Sequence, residues 1–401
     1  MLNRCLLRGI DPQWLTLLIA WGLTFPLSSP SAAAPCLFVG NFDTESVAIV
    51  DPRTASVTKY LRAEVGFPAA LVATRDSTLL YAGAYDAVAV IDVAQWQIVD
   101  TIELDRSSVL AGMIEIAPDG GSLFVTEGFE EGGPSRVDVI STVTHEVLDP
   151  IYGFSDATAL AISPDGSRLY VADSNAVTVV DVETGLLLAW IEQHATVLQI
   201  ALSNDGRTLY VSRSGNQYGI AIVDTETMEE LSLIQLDHNS YSLALSVDSS
   251  LLFADSLSEL AIIDTATKGL RAMVDVGGLV TDIAPSRKEP LVFASVYDSG
   301  PEADRVVVID TQDPRIISAI PVAGARSLAL VDLDNGCGVA CTGDCDADGR
   351  VEISELVRGV QMALAAIEVI ECPIVDGNAD LKVSIEELVR AVRSSLIGCE
   401  N

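Results

Sequence analysis

Residues 159–181 read ALAISPDGSRLYVADSNAVTVVD. Three short apolar runs, Ala159 to Ser163, Leu169 to Ala172 and Val177 to Val182, are separated by two turn signals. The runs are rich in β-forming residues and too short for ordinary helices. Pro164-Asp165-Gly166 suits a tight hairpin, because Asp caps the turn through its side chain and Gly accepts positive φ. A fourth run, Leu186 to Ile191, follows directly, so this stretch predicts a small four-stranded meander.

The same pattern recurs along the chain. An apolar pair followed by Asp appears at Ile49-Val50-Asp51, Val90-Ile91-Asp92, Val179-Val180-Asp181, Ile222-Val223-Asp224, Ile262-Ile263-Asp264 and Val308-Ile309-Asp310. A seventh copy, Val139-Ile140-Ser141, carries Ser. Successive intervals are 41, 49, 40, 43, 40 and 46 residues. A second landmark, an aliphatic-aromatic-small triplet such as Leu169-Tyr170-Val171 or Leu252-Phe253-Ala254, precedes each copy. One such unit cannot bury both faces of its sheet, whereas seven stacked around an axis can. A period near 40 with four strands per period predicts an all-β, seven-bladed β-propeller.

The Leu-Tyr-Val triplets, the Pro-Asp-Gly turns and the Asp-x-x-Thr strands (Asp181 to Thr184, Asp224 to Thr227, Asp264 to Thr267) make residues 36–336 resemble the YVTN-type propeller repeats of bacterial surface-layer-like proteins. The resemblance implies architecture; propellers host unrelated activities.

Laying residues 159–181 over both ends of the array predicts how the ring shuts. The first repeat starts at Leu37 without its leading strand, and Ser327 to Val331 matches that missing strand. The closing blade therefore lacks a covalent turn. Cys36 and Cys337 fall where the turn would be, which predicts a Cys36–Cys337 disulfide.

Residues 1–33 read as an export signal. Arg4 and Arg8 precede an apolar segment, Trp14 to Leu23, and Ser31-Ala32-Ala33 has the form of a cleavage site. Cleavage would leave six of the seven cysteines, and export with an even cysteine count points to disulfides. The expected setting is extracellular, periplasmic or cell-surface. Lys and Arg total 23 against 57 Asp and Glu, a net charge of −34. Such a surface repels phosphate, so nucleic acid is not the expected partner, and no stretch beyond the leader is apolar enough to be transmembrane.

A short linker, 337–343, leads to a second module, 344–401. Asp344-Cys345-Asp346-Ala347-Asp348-Gly349-Arg350-Val351-Glu352-Ile353-Ser354-Glu355 has the spacing of a twelve-residue EF-hand calcium loop. The expected ligands are Asp344, Asp346, Asp348, the Arg350 carbonyl, Glu352 and Glu355. A second loop starts 32 residues later, with Asp376, Asn378, Asp380, the Lys382 carbonyl, Ser384 and Glu387 as ligands. Leu381 stands where Gly is expected, which predicts a weaker site. Each loop leads into a helix, Ser354 to Ala365 and Ile385 to Leu396. Leu356, Val360 and Leu364, with Leu388, Val392 and Leu396, are expected to form the core between them. This small all-α arrangement resembles dockerins, although its loops lack the paired hydroxyls of cohesin recognition. Cys341, Cys345, Cys372 and Cys399 are expected to staple it, with three pairings open.

No catalytic motif emerges. His145, His194 and His238 fall in different repeats, and no Gly-x-Ser-x-Gly, phosphate loop or His-Glu-x-x-His is present. Repetition of Asp181 and Asp224 with the blades argues for turn capping. Two long hairpins, Glu127 to Pro134 and Tyr297 to Asp304, are candidate recognition loops. The sequence therefore predicts a secreted, calcium-binding, non-catalytic interaction or scaffolding propeller for an extracellular or cell-surface partner. The alternatives are a lactonase-like hydrolase or lyase with its site in the central channel, and a surface-layer structural component.

Overall fold

The apolar pairs and their hairpins fold, in a computed structural model, into seven four-stranded antiparallel sheets. The structure describes residues 34–62, 66–84, 86–104, 111–127, 135–215, 218–298, 304–333, 337, 353–364 and 382–397. The leader and residues 338–343 lie outside this set.

Six blades are built from consecutive strands. In blade 4 these are Ala157–Ile162, Arg168–Asp173, Ala176–Asp181 and Leu187–Glu192, from the axis outward. The inner strands of adjacent blades lie against one another all the way round, which closes the ring. Second and third strands are sandwiched between neighbouring blades, so both their faces are apolar and their runs are continuous. Residues 177–180 are all buried. In blade 4 the outer strand buries Ile191 and otherwise meets solvent, whereas that of blade 1 buries Thr58, Tyr60 and Leu61.

Register explains the aromatic of each triplet. Tyr170 pairs with Ala161, Tyr210 with Ala201, Phe253 with Ala244, Phe293 with Ala284 and Phe38 with Ala329. Directly opposed residues share a face, so a methyl group on the inner strand leaves room for the ring beside it. All five rings are buried, each contributing roughly 2–3 kcal/mol of apolar burial.

Blade 1 is assembled from both ends of the array. Ala34–Asn41 pairs with Ser46–Asp51 on one side and with Ala325–Leu333 on the other. The strand begins at Ala34, three residues before the first triplet, and runs to an Ala34↔Leu333 pair. Cys36 and Cys337 form the expected disulfide, with Cα atoms 5.2 Å apart. Both are fully buried with Phe38, Ile49 and Val331, so Cys337 belongs to the blade and not to a linker.

The hairpins from third to outer strand share one device. The Asp accepts turn N–H groups, as Asp181 Oδ1 does from Thr184 N (2.9 Å) and Asp224 Oδ1 from Thr227 N (2.7 Å). The Thr184 hydroxyl and then its N–H hold the Asp181 carboxyl below the usual range, and the Thr227 N–H does the same for Asp224, which confirms the capping role of the repeated Asp. Four residues on, the chain enters the left-handed region, at Gly185 (φ 67°) in blade 4 and at Ala55 (φ 53°) in blade 1.

Beyond the ring the described residues include two helices, α1 (Ile353–Ala363) and α2 (Ile385–Ile397), lying against each other. Their buried face differs from the expected one. Glu355, Gly359 and Met362 are buried on α1, and Glu387 and Ala391 on α2, while Val360, Leu364 and Val392 are exposed. Glu355 and Gly359 on α1, and Glu387 and Ala391 on α2, lie one residue before the expected Leu356, Val360, Leu388 and Val392, so the first-turn glutamates turn inward.

Candidate functional site

In a ring of near-identical blades, a special site shows as a departure from the repeat. At the inner-strand position opposite the aromatic, five blades carry Ala and blade 2 has Val72 opposite Tyr81. Blade 3 has Glu115 opposite Phe124. Glu115 keeps partial contact with solvent, but protein encloses it on most sides. Desolvation therefore dominates and pushes its carboxyl up to about 7, against the opposing pull of Arg75.

A second departure lies two positions nearer the start of the inner strand. Ala159 stands there in blade 4 and Ser327 in blade 1, whereas blade 7 has Asp282. Inner strands are sheet edges, so one row of their backbone groups lacks a ladder partner. Asp282 uses this: its Oδ2 accepts from Leu328 N of blade 1 at 2.7 Å, and its Oδ1 from Ile283 N at 2.8 Å. Burial raises its carboxyl to about 6 in spite of those bonds. Glu115 and Asp282 sit in blades 3 and 7, so the repeat places them in separate parts of the ring.

Beside Asp282, blades 7 and 1 are joined by a charged and aromatic cluster. The Arg326 guanidinium lies 4.4 Å from the Tyr297 ring centroid and donates to Asp304 Oδ2 at 3.0 Å. Asp304 also accepts from Gly324 N and Asp298 N, which fixes the base of the Tyr297 to Asp304 hairpin. Residues 299–303 of that hairpin, and 128–134 of the Glu127 to Pro134 hairpin, lie outside the described residues. Both segments join second to third strands, so their flanking strands end at the same edge of the ring.

Of the expected calcium ligands, Asp344, Asp346, Asp348, Arg350, Glu352, Asp376, Asn378 and Asp380 lie outside the described residues, as do Cys341, Cys345, Cys372 and Cys399. Glu355, Lys382, Ser384 and Glu387 are described. The two glutamates at loop position 12 occupy equivalent first-turn places on α1 and α2 and are 5% and 1% exposed. Around α2 a capping box forms: Ser384 N donates to Glu387 Oε2 at 2.7 Å, and Glu387 N donates to Ser384 Oγ at 3.3 Å. The donor set is all oxygen, and a buried carboxylate stands at each twelfth position. That chemistry fits a hard cation such as calcium.

The histidines stay apart. His145 Nδ1 meets Asp100 Oδ2 at 2.6 Å across blades 3 and 2, His194 is exposed beside Glu192, and His238 is exposed between blades 5 and 6. Among the described residues no helix is long and apolar enough to cross a membrane, and no group of three metal-ligating side chains converges.

No family model matches the chain. It is 32% identical over 122 residues to the seven-bladed beta-propeller protein Rv1057 of Mycobacterium tuberculosis. That match spans 29% of this chain and 30% of the relative. Among solved structures, a functionally unknown protein from Desulfotomaculum acetoxidans superposes with a TM-score of 0.65 at 16% identity, over 74% of this chain and 99% of that one. Kuenenia stuttgartiensis hydrazine synthase gives 0.58 at 21% identity, over 72% and 98%. What these share with the chain is the propeller fold.

Proposed function

We propose that the protein is an exported, non-catalytic interaction propeller carrying a calcium-dependent helical module of EF-hand or dockerin-like form, with YVTN-type repeats in the ring. The observation that carries this reading is the burial of Glu355 and Glu387 at matching twelfth positions, 32 residues apart. In an EF-hand loop the twelfth position carries the carboxylate that closes the calcium shell bidentately. Calcium held by Asp344, Asp346, Asp348, Glu352 and Glu355, and by Asp376, Asn378, Asp380 and Glu387, would draw each loop onto the first turn of its helix. Ser384 supports the second site by capping α2. Export is supported by the leader-like residues 1–33 and by the buried Cys36–Cys337 disulfide, a bond at home in oxidising compartments. The non-catalytic reading is supported by the placement of the two raised inner-strand carboxyls, Glu115 and Asp282, on separate blades.

Calorimetry on the chelator-treated full chain tests the reading. Calcium is expected to bind and to raise the melting temperature of one transition, and Glu355→Gln with Glu387→Gln is expected to weaken binding at least tenfold. Heat and melting profiles that calcium leaves unchanged would overturn it.

A further inference from the structure

One position in the ring carries a carboxylate in a single blade. Asp255 lies one residue before the end of the second strand of blade 6, opposite Leu260. By register its equivalents are Gly40, Gly83, Thr126, Ala172, Ser212 and Ser295, all small or hydroxylated. Asp255 is 1% exposed. Its Oδ1 accepts from Tyr241 N (2.6 Å), Ser242 N (2.7 Å) and Ser240 Oγ (3.0 Å). Those three bonds fix the carboxylate, and its buried Oδ2 has no hydrogen-bond partner among the described residues. Leaving such an atom unsatisfied is costly.

Asp255 lines a cavity of about 200 Å³ with Tyr218, His238, Asn239, Tyr241, Leu257 and Leu279. These residues come from blades 5, 6 and 7 and lie on the edge of the ring where second-to-third hairpins turn. Asn239 Nδ2 donates to Tyr241 Oη at 3.2 Å, and Asn239 Oδ1 is a second enclosed acceptor without a donor among the described residues. Around the mouth Tyr218, Tyr241, Leu257 and Leu279 are 42–58% exposed. The cavity thus has aromatic and aliphatic walls and acceptors inside, and none of its lining residues is Lys or Arg. Its volume is below the roughly 300–1,000 Å³ of ordinary small-molecule sites and suits one protruding side chain.

We propose that this cavity receives a primary ammonium on an apolar stem, the side chain of a lysine presented by a partner protein. The ammonium supplies the missing donors to Asp255 Oδ2 and Asn239 Oδ1, the butyl stem covers Leu257 and Leu279, and the tyrosine faces add cation–π attraction. Burial raises the Asp255 carboxyl above its ordinary range, and an arriving cation would restore its charge. The acidic surface of the chain favours the same approach. The inference rests on the interaction reading of the propeller and not on the calcium module.

Titrating the full chain in excess chelator with Nα-acetyl-lysine methylamide, followed by NMR, tests it apart from calcium. Binding is expected at least tenfold tighter than for the neutral norleucine analogue, and Asp255→Asn is expected to remove that preference. Tyr218→Ala, at an exposed site, is expected to weaken binding several-fold without altering the melting temperature. A lysine-containing peptide binding more tightly than the free amide would identify a protein partner, and equal binding of both would point to a free amine instead. Equal affinity for the lysine and norleucine analogues, or lysine binding unchanged in both variants, would overturn the proposal.

Discussion

Blade 1 and blade 4 have the same four strands in the same register, yet they are held together differently. In blade 4 the inner and second strands are joined by Pro164-Asp165-Gly166, with Asp165 Oδ1 accepting from Ser163 Oγ at 2.6 Å and Ser167 N at 3.1 Å. Those bonds hold the Asp165 carboxyl down at about 2. In blade 1 the two strands come from opposite ends of the array, and the Cys36–Cys337 disulfide stands where the turn would be. A turn of a few residues costs little closure entropy, whereas joining strands about 300 residues apart costs far more. The difference teaches that the ring has one seam, and that its covalent chemistry is concentrated there.

The largest expected effect follows from that seam. Cys36→Ser with Cys337→Ser removes a link spanning 301 residues. In the chain-entropy account this lowers the unfolding free energy by roughly 5 kcal/mol. Denaturant unfolding of the double variant, compared with the oxidised parent, checks it; coincident curves would mean that the seam holds without the bond.

An intermediate effect is expected where blade 3 departs from blade 4, at Glu115 against Ala161. Glu115 binds its proton more tightly folded than unfolded, with pKa near 7 against an ordinary 4.5. Its contribution is therefore fully present below about pH 4.5 and is lost as pH rises through 7. Glu115→Ala is expected to flatten that dependence by roughly 2–3 kcal/mol between pH 5 and 8, read from unfolding curves at both pH values. Taking the difference across pH removes any packing cost of the substitution.

The smallest effect compares hairpins. Blade 4 has Gly185 in the left-handed position where blade 1 has Ala55. Glycine reaches that conformation without a Cβ penalty, so Ala55→Gly is expected to stabilise the protein by about 1 kcal/mol. A melting temperature that falls in this variant would contradict the shared turn geometry.

The fold was legible because its evidence repeats. Seven copies of one apolar pair, with Asp or Ser after it, fix the hairpins, and the short first copy exposes the seam and its cysteines. The departures were harder to read, since landmarks shared by all blades draw attention away from them. Aligning inner strands on the residue opposite each aromatic would have singled out Glu115 against Ala161, Ala201, Ala244, Ala284 and Ala329. The same ruler one strand outward would have singled out Asp255 against Ala172 and Ser212. In the helical module the aliphatic spacing at Leu356, Val360 and Leu364 pointed to the wrong face. The first-turn carboxylates of Glu355 and Glu387 turn inward instead, and residue type alone did not report that.

Peptide mapping of the full chain without reduction tests the seam most directly. A single cross-linked peptide pair containing Cys36 and Cys337 is the predicted result. Cys36 found as a free thiol, or linked to Cys341, Cys345, Cys372 or Cys399, would contradict the account of how the ring is shut.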